Sequence, residues 1–286
     1  MDAKLDELVA EVRKSAKYAQ VSEPLIREIG AAELRKRASL KEAIKATKNK
    51  LHQAGGMFAE EKARYDAWLA AITSAITPTP HPNPLPSFDD RSGGEGAEGA
   101  GEGLLREIMS HHASTRERLP ILDAFYKTIF AGLPPIHSVL DVACGLNPLA
   151  IPWMNLAPAA TYHAVDIYAD MIRFLGEAMN RLGVQGKAET RDVIHDCPTA
   201  RVDVALVLKA VSCLEQIDKR AGPILLDTIN ARHIVVSYPT RTVGGRAIGM
   251  RAMYETHFNA LVAGRNWPVT RFEFDGELVF RMDRLL

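Results

Sequence analysis

The sequence predicts an α/β fold: an open, largely parallel sheet with helices on both faces, ending in an antiparallel hairpin and preceded by an all-helical region. Three observations predict it. Short apolar, β-rich runs recur at 138–143, 162–167, 188–192, 203–208 and 233–238, separated by helical patterns such as 171–182, and alternation of strand and helix builds parallel sheets. The chain then closes with Arg271-Phe272-Glu273-Phe274, Asp275-Gly276 and Glu277-Leu278-Val279-Phe280, two strand-like runs about a type I′ hairpin signal. Residues 1–76, by contrast, carry helical periodicity only.

The N-terminal elements follow from spacing and capping. Leu5, Leu8, Val9 and Val12 recur on one helical face. Ser22 followed by Pro24 marks a helix start. Ser39-Leu40-Lys41-Glu42 is a capping-box pattern, in which the serine caps the helix and Glu42 reaches back to its amide. That helix turns Leu40, Ile44 and Leu51 inward and stops near Gly55-Gly56; another begins near Met57 and runs through Tyr65, Trp68, Leu69 and Ile72. At 77–103 the composition changes to alternate prolines and then Gly/Glu repeats. Such a segment has too few apolar side chains to offset its ordering entropy, and is expected to be a disordered linker or insertion. The domain expectation is therefore 1–76 helical, 77–103 linker and 104–286 sheet domain, the last opening with a helix near 104–109.

Composition narrows the class. The chain has 286 residues, 47% of them hydrophobic, and a formal net charge of +0, so a large core is available and nucleic-acid binding must be judged from charge distribution. Its three cysteines, Cys144, Cys197 and Cys213, have no metal-site spacing and suit a reduced compartment. The N-terminus is amphipathic and acidic, and no apolar run is long enough for a bilayer. A cytoplasmic, metal-free protein away from membranes is expected.

The chemistry is concentrated in Val139-Leu-Asp-Val-Ala-Cys-Gly-Leu-Asn-Pro148. In an open α/β sheet, ligands sit at the carboxyl ends of the strands. Gly145 permits close backbone approach there. Asp166, about 20 residues on, ends the second strand, where a carboxylate accepts ribose hydroxyls. Asp192, after the third, can accept from an adenine amino group. The further glycines that seat a pyrophosphate are missing, so an adenosyl ligand without phosphate fits better. Asn147-Pro148 suits a helix start, with Asn147 as its cap. Five parallel-type strands and a terminal hairpin favour a methyltransferase sheet over a dehydrogenase sheet.

At these residues the chain resembles a family. His137-Ser-Val-Leu-Asp-Val-Ala-Cys-Gly-Leu-Asn-Pro-Leu-Ala-Ile-Pro-Trp-Met154 is similar to the cofactor loop of the aminoglycoside-resistance 16S rRNA (guanine-1405, N7) methyltransferases. The segments HASTRERLPILDAFY (112–126), LVLKAVSCLEQ (206–216), VVSYPTRTVGGRAIGM (235–250), GELVF (276–280) and KLHQAGGMF (50–58) resemble that family's segments in order. The insertion at 77–103 departs from its pattern.

The resemblance implies a class I, Rossmann-like domain that uses S-adenosylmethionine (SAM), and a helical extension that docks on the assembled small ribosomal subunit. It implies transfer of a methyl group to N7 of a decoding-site guanine in 16S rRNA, and a monomeric enzyme. By motif match, Arg116 would pair with the SAM carboxylate, Asp166 would hold the ribose and Asp192 the adenine. Ala143 and Gly145 would pass the methionine portion, and Leu208 to Glu215 would line the adenosyl and methyl side. Arg241, Arg246 and Met250 would position the target RNA. No general base is required, because guanine N7 carries a free lone pair; His111, His112 and His163 are expected to be structural or surface residues. Trp153 and Tyr238 are candidates for stacking on a base, although core packing is the commoner use of both. Between Arg27 and Lys50, eight basic residues face three acidic ones; Arg35, Lys36, Arg37, Lys41, Lys45 and Lys48 are the expected phosphate contacts. A small-molecule methyltransferase and a non-catalytic RNA-binding protein are the competing readings; the basic extension disfavours the first and the intact loop the second.

Overall fold

The computed structural model describes residues 2–52, 64–75, 98–240 and 249–284. Seven strands form one sheet in the order β3-β2-β1-β4-β5-β7-β6. The strands are β1 (Ser138–Val142), β2 (Thr161–Asp166), β3 (Gln185–Thr190), β4 (Val202–Leu208), β5 (Ala231–Pro239), β6 (Val269–Phe274) and β7 (Glu277–Asp283). The first five pair in parallel, and β7 enters antiparallel between β5 and β6. The central strands are buried on both faces, as expected for continuous apolar runs such as Val202-Asp-Val-Ala-Leu-Val-Leu208. In the hairpin only Gly276 takes a positive φ, +84°; Asp275 does not, so the turn is not type I′, which needs both central residues left-handed.

Two apolar layers cover the sheet. One holds α4 (Tyr65–Ala75), α5 (Glu98–Met109), α7 (Leu122–Ile129) and α8 (Ala169–Arg181); the other holds α9 (Val211–Ile217), α10 (Ala221–Thr228) and α11 (Met250–Val262). A third apolar cluster joins α1 (Asp2–Arg13), α2 (Glu23–Lys36) and α3 (Leu40–Leu51). The Ser39 hydroxyl caps α3 by accepting from the Glu42 amide at 3.3 Å.

Two boundaries differ from the sequence expectation. Helix α4 does not belong with α1–α3: Trp68 and Ile72 are buried in the sheet-domain core, and Tyr65 stacks on Phe174 of α8 at 5.1 Å. An amphipathic pattern reveals an apolar face without naming what covers it. Helix α5 begins at Glu98, six residues inside the segment expected to be linker. Leu105, Ile108 and Met109 anchor its C-terminal end in the core. The helix ends expected at Gly55-Gly56 and Met57 lie outside the described residues.

A buried polar network underlies the loop after β1. Arg118 follows the short helix α6 (Ala113–Arg116) and is 2% exposed; it donates to both carboxylate oxygens of Glu277, at 2.7 and 3.1 Å. Its remaining nitrogen donates to Asn147 Oδ1 at 2.9 Å, which also accepts from the Tyr126 hydroxyl at 2.5 Å. The Asn147 amide donates to Asp141 Oδ2 at 2.9 Å, as does the Tyr162 hydroxyl at 2.6 Å. Asn147 is therefore the first residue of a 3-10 helix, Asn147–Trp153, whose cap position is Leu146. The expected capping role is corrected: its side chain is spent on this network. Burial alone would raise the Glu277 carboxyl, but Arg118 and Lys209 outweigh it and hold the group below the usual carboxylate range.

Replacing Glu277 with Gln leaves Arg118 buried without a counter-charge, while Lys209 keeps Glu117. The variant is expected to lose about 3–5 kcal/mol of unfolding free energy, measured by urea denaturation at neutral pH. A loss below about 1 kcal/mol would assign the pair no more weight than a surface ion pair.

Candidate cofactor and RNA site

A cleft of about 710 Å³, including solvent at its mouth, opens at the carboxyl ends of β1, β2 and β4. Its floor is the loop after β1, where Ala143 and Gly145 both have φ of +52°. The Gly145 amide donates to Asp166 Oδ2 at 3.0 Å, and the Ile167 amide to Asp166 Oδ1 at 2.7 Å. Asp166 thus braces the loop and faces the cleft at once. Burial raises its carboxyl despite these amide bonds. A Cβ placed on Gly145 would lie 2.6 Å from the His112 ring, so glycine is required twice over, by conformation and by space.

An adenosyl-methionine ligand needs a loop of low profile, a ribose acceptor, an acceptor near the base and a cation near the carboxylate. Gly145, Asp166 and Asp192 share the cleft wall with Ala143 and Leu208. Arg116 ends α6 just before Glu117, and its charge is felt at His112 beside Gly145. Gly145, Asp166, Asp192, Ala143 and Leu208 fit the group; Arg116 is half-buried beside the cleft and is not among the residues that line it. Glu215 does not join them: its carboxylate accepts from His257 at 2.7 Å, on the side of α11, and the cleft is lined instead by its neighbours Cys213, Leu214 and Ile217. On a helix, adjacent positions point about 100° apart, so a segment match carries over some side chains and not others.

Of the expected RNA contacts, Met250 is half-buried at the start of α11, after Gly249 with φ of +77°. Arg241 and Arg246 lie outside the described residues. Arg35, Lys36, Arg37, Lys41 and Lys45 are exposed on α2, α3 and their junction, and Lys48 is half-buried. Arg37 and Lys50 are both held by the buried Glu33, at 3.1 and 3.3 Å. The other five expected contacts make no ion pair among the described residues. Tyr238 is fully buried and stacks on Tyr254 at 4.8 Å. Trp153 donates to Asp123 and lies against Arg106. His111 packs on Trp68, and His163 bonds Glu189 at 2.7 Å.

Lys209 falls within the expected 208–215 span, whereas Leu25 is among the cleft residues that escaped the sequence reading. Lys209 follows β4 with φ of +57°, and its ammonium donates to Glu117 at 2.8 Å and to the Ser114 carbonyl at 3.2 Å. Leu25 reaches the cleft from α2. His112, expected to be merely structural, lines the cleft against Gly145. Its imidazole is lowered to about 4 by desolvation, with Lys209, Arg118 and Arg116 adding to the effect.

The chain matches the family described as "Ribosomal RNA methyltransferase (FmrO)" over residues 14–281. It is 34% identical to a 16S rRNA (guanine(1405)-N(7))-methyltransferase of Micromonospora rosea, covering 98% of this chain and 96% of that protein. A protein of the same name from Micromonospora echinospora is also 34% identical, over 97% and 96%. The crystal structure of the 16S rRNA methyltransferase RmtF with S-adenosyl-L-homocysteine superposes with a TM-score of 0.80 at 28% identity, covering 99% of each chain.

The lowered His112 makes a pH prediction. Its ring takes a proton near 6.5 when unfolded and only near 4 when folded. Between those values the unfolded chain binds more protons, so the stability present above pH 6.5 is lost as pH falls through 4. Asp141, pushed up to about 7 by burial, acts in the opposite sense over an overlapping range. Subtracting the curve of a His112→Asn variant cancels that contribution. The wild-type advantage is expected to shrink by up to about 1.4 kcal/mol per pH unit below pH 6.5; a pH-independent difference contradicts the assignment.

Proposed function

This chain belongs to the ribosomal RNA methyltransferase family FmrO, and from that premise we propose that it methylates N7 of guanine-1405 in 16S rRNA, with SAM as donor. The observation that carries the reading is the braced loop: Gly145 held to Asp166 in a cleft shared with Asp192, without the glycines a pyrophosphate needs. Asp166 accepts from the ribose, Asp192 from the adenine, and Arg116 presents a guanidinium to the carboxylate. Bound there, SAM supplies an electrophilic sulfonium methyl.

Guanine N7 attacks through a lone pair and loses no proton, so the protein works by placing nucleophile and methyl in line. His112, with its pKa near 4, is a weak proton acceptor at neutral pH, which agrees with a reaction that needs no base. The target guanine leaves its stack to reach the cleft. Arg241 and Arg246, in the sequence between β5 and α11, and Met250 at the start of α11 hold the distorted RNA.

Helices α1–α3 form the docking module, through Arg35, Lys36, Lys41, Lys45 and Lys48, against phosphates of the assembled small subunit. Arg37 contributes less, because Glu33 already engages it. Among the described residues no helix is long and apolar enough to cross a membrane, and the enzyme acts as a monomer in the cytoplasm, where its ribosomal substrate is. Protection against kanamycin- and gentamicin-type aminoglycosides is the cellular consequence.

Two measurements test this. Unmethylated small subunits incubated with enzyme and SAM should yield N7-methylguanosine at position 1405, read as a primer-extension stop after borohydride and aniline treatment. Methylation elsewhere, or none on rRNA, overturns the reading. The triple variant Lys36→Glu, Lys41→Glu, Lys45→Glu should bind subunits at least about tenfold more weakly and leave S-adenosylhomocysteine (SAH) affinity unchanged, with wild-type binding falling steeply as salt rises. Equal subunit affinity would return these lysines to the solvent.

A further inference from the structure

We propose that His195 is a positioning residue that couples the docking module to the cofactor site, so that cofactor and rRNA each strengthen binding of the other. The inference rests on the reading of Asp192 as the adenine acceptor and of α1–α3 as the docking module.

The module is attached to the chain that follows Asp166. Val21 and Tyr168 form an antiparallel bridge, the Ser22 amide donates to the Ile167 carbonyl at 2.8 Å, and the Ala169 amide donates to the Gln20 carbonyl at 2.9 Å. Helix α2 leaves this junction along the cleft. Leu25 lines the cleft beside Ile167 and Tyr168. Glu28, one turn on and on the same face, meets His195 Nε2 at 2.7 Å. The other ring nitrogen, Nδ1, meets Asp192 Oδ2 at 2.7 Å, and the Ile194 amide donates to Asp192 Oδ1 at 3.1 Å. Each ring nitrogen thus faces one carboxylate, and the ring ties Asp192 to Glu28.

Exposure decides what this bridge is for. The side chains of His195 and Glu28 are 41% and 47% exposed, whereas Asp192 is 8% exposed. Exposed pairs add little stability. Fixing the rotation of a buried acceptor at the cleft wall has a larger effect on a ligand that reads that rotation. The same helix carries Arg35 and Lys36 at its far end, exposed and without ion pairs among the described residues. One rigid 14-residue element therefore holds the cofactor-facing contacts at one end and phosphate-facing cations at the other. A shift of α2 on docking moves Glu28, and with it the ring that aims Asp192. Linkage requires the effect to run both ways.

The test measures SAH affinity by calorimetry and small-subunit affinity with and without saturating SAH, on the full chain. In the wild type, SAH should tighten subunit binding by at least about fivefold. Glu28→Ala should keep SAH affinity of the free protein within about twofold and cut the coupling below about twofold. His195→Ala should lose about three- to tenfold in SAH affinity and lose the coupling as well; His195→Gln, which restores a donor to Asp192, should recover part of the SAH affinity. A wild type whose subunit affinity ignores SAH overturns the inference. So does His195→Ala with normal SAH affinity while Asp192→Ala binds SAH weakly, a result that leaves the adenine reading standing. Normal SAH affinity in Asp192→Ala would remove that reading and this inference with it.

Discussion

The pair between Arg118 and Glu277 is the constraint on which the site depends. Both are almost wholly buried, and taking two charges out of water is costly. The return is geometric. Arg118 also grips Asn147 in the loop after β1, and Glu277 accepts from Ser237 on β5. One guanidinium and one carboxylate thus join the segment after α6, the loop after β1, and two adjacent strands. The antiparallel entry of β7 makes this possible. Its first residue lies at the edge where the parallel strands finish, in register with Pro239. A parallel strand there would bring its last residue to that edge.

From that anchor the order of the cleft follows. Asn147, fixed by Arg118 and Tyr126, holds Asp141; the loop then rises through Gly145, which Asp166 ties to the end of β2. His112 closes over Gly145 from the segment that leads to Arg118. The protein builds by side-chain bracing what dinucleotide folds build with glycines around a helix N-terminus. The chemistry agrees with this economy. A lone-pair nucleophile needs placement, and a rigid floor supplies it.

The sheet was legible because its strands are buried on both faces and so appear as apolar runs; β1, β2, β4 and β5 lie within two residues of expectation. The edge strand β3 was the weakest: Gln185-Gly-Lys-Ala-Glu-Thr190 is polar, and it begins three residues before the expected run. Asp166 and Asp192 were findable because their distance from the loop follows from the length of a βα unit. Asn147 was misread because a cap and a buried amide carry the same letters. Arg118 lies two residues from Arg116, and nothing local marks Arg118 as the buried one of the two. Its partner is 159 positions away, beyond any local pattern. The place of α4 on the sheet was hidden for the same reason.

The most direct test of this account is a double-mutant cycle between Arg118 and Asn147, read in SAH affinity rather than stability. Arg118→Met and Asn147→Leu each release the loop from its anchor. Either variant, while still folded, should bind SAH at least about tenfold more weakly, and the double variant should be no weaker than the worse single one, since residues in one network are not additive. Unchanged SAH affinity in folded single variants, or losses that simply add, would contradict the claim that this network sets the cofactor site.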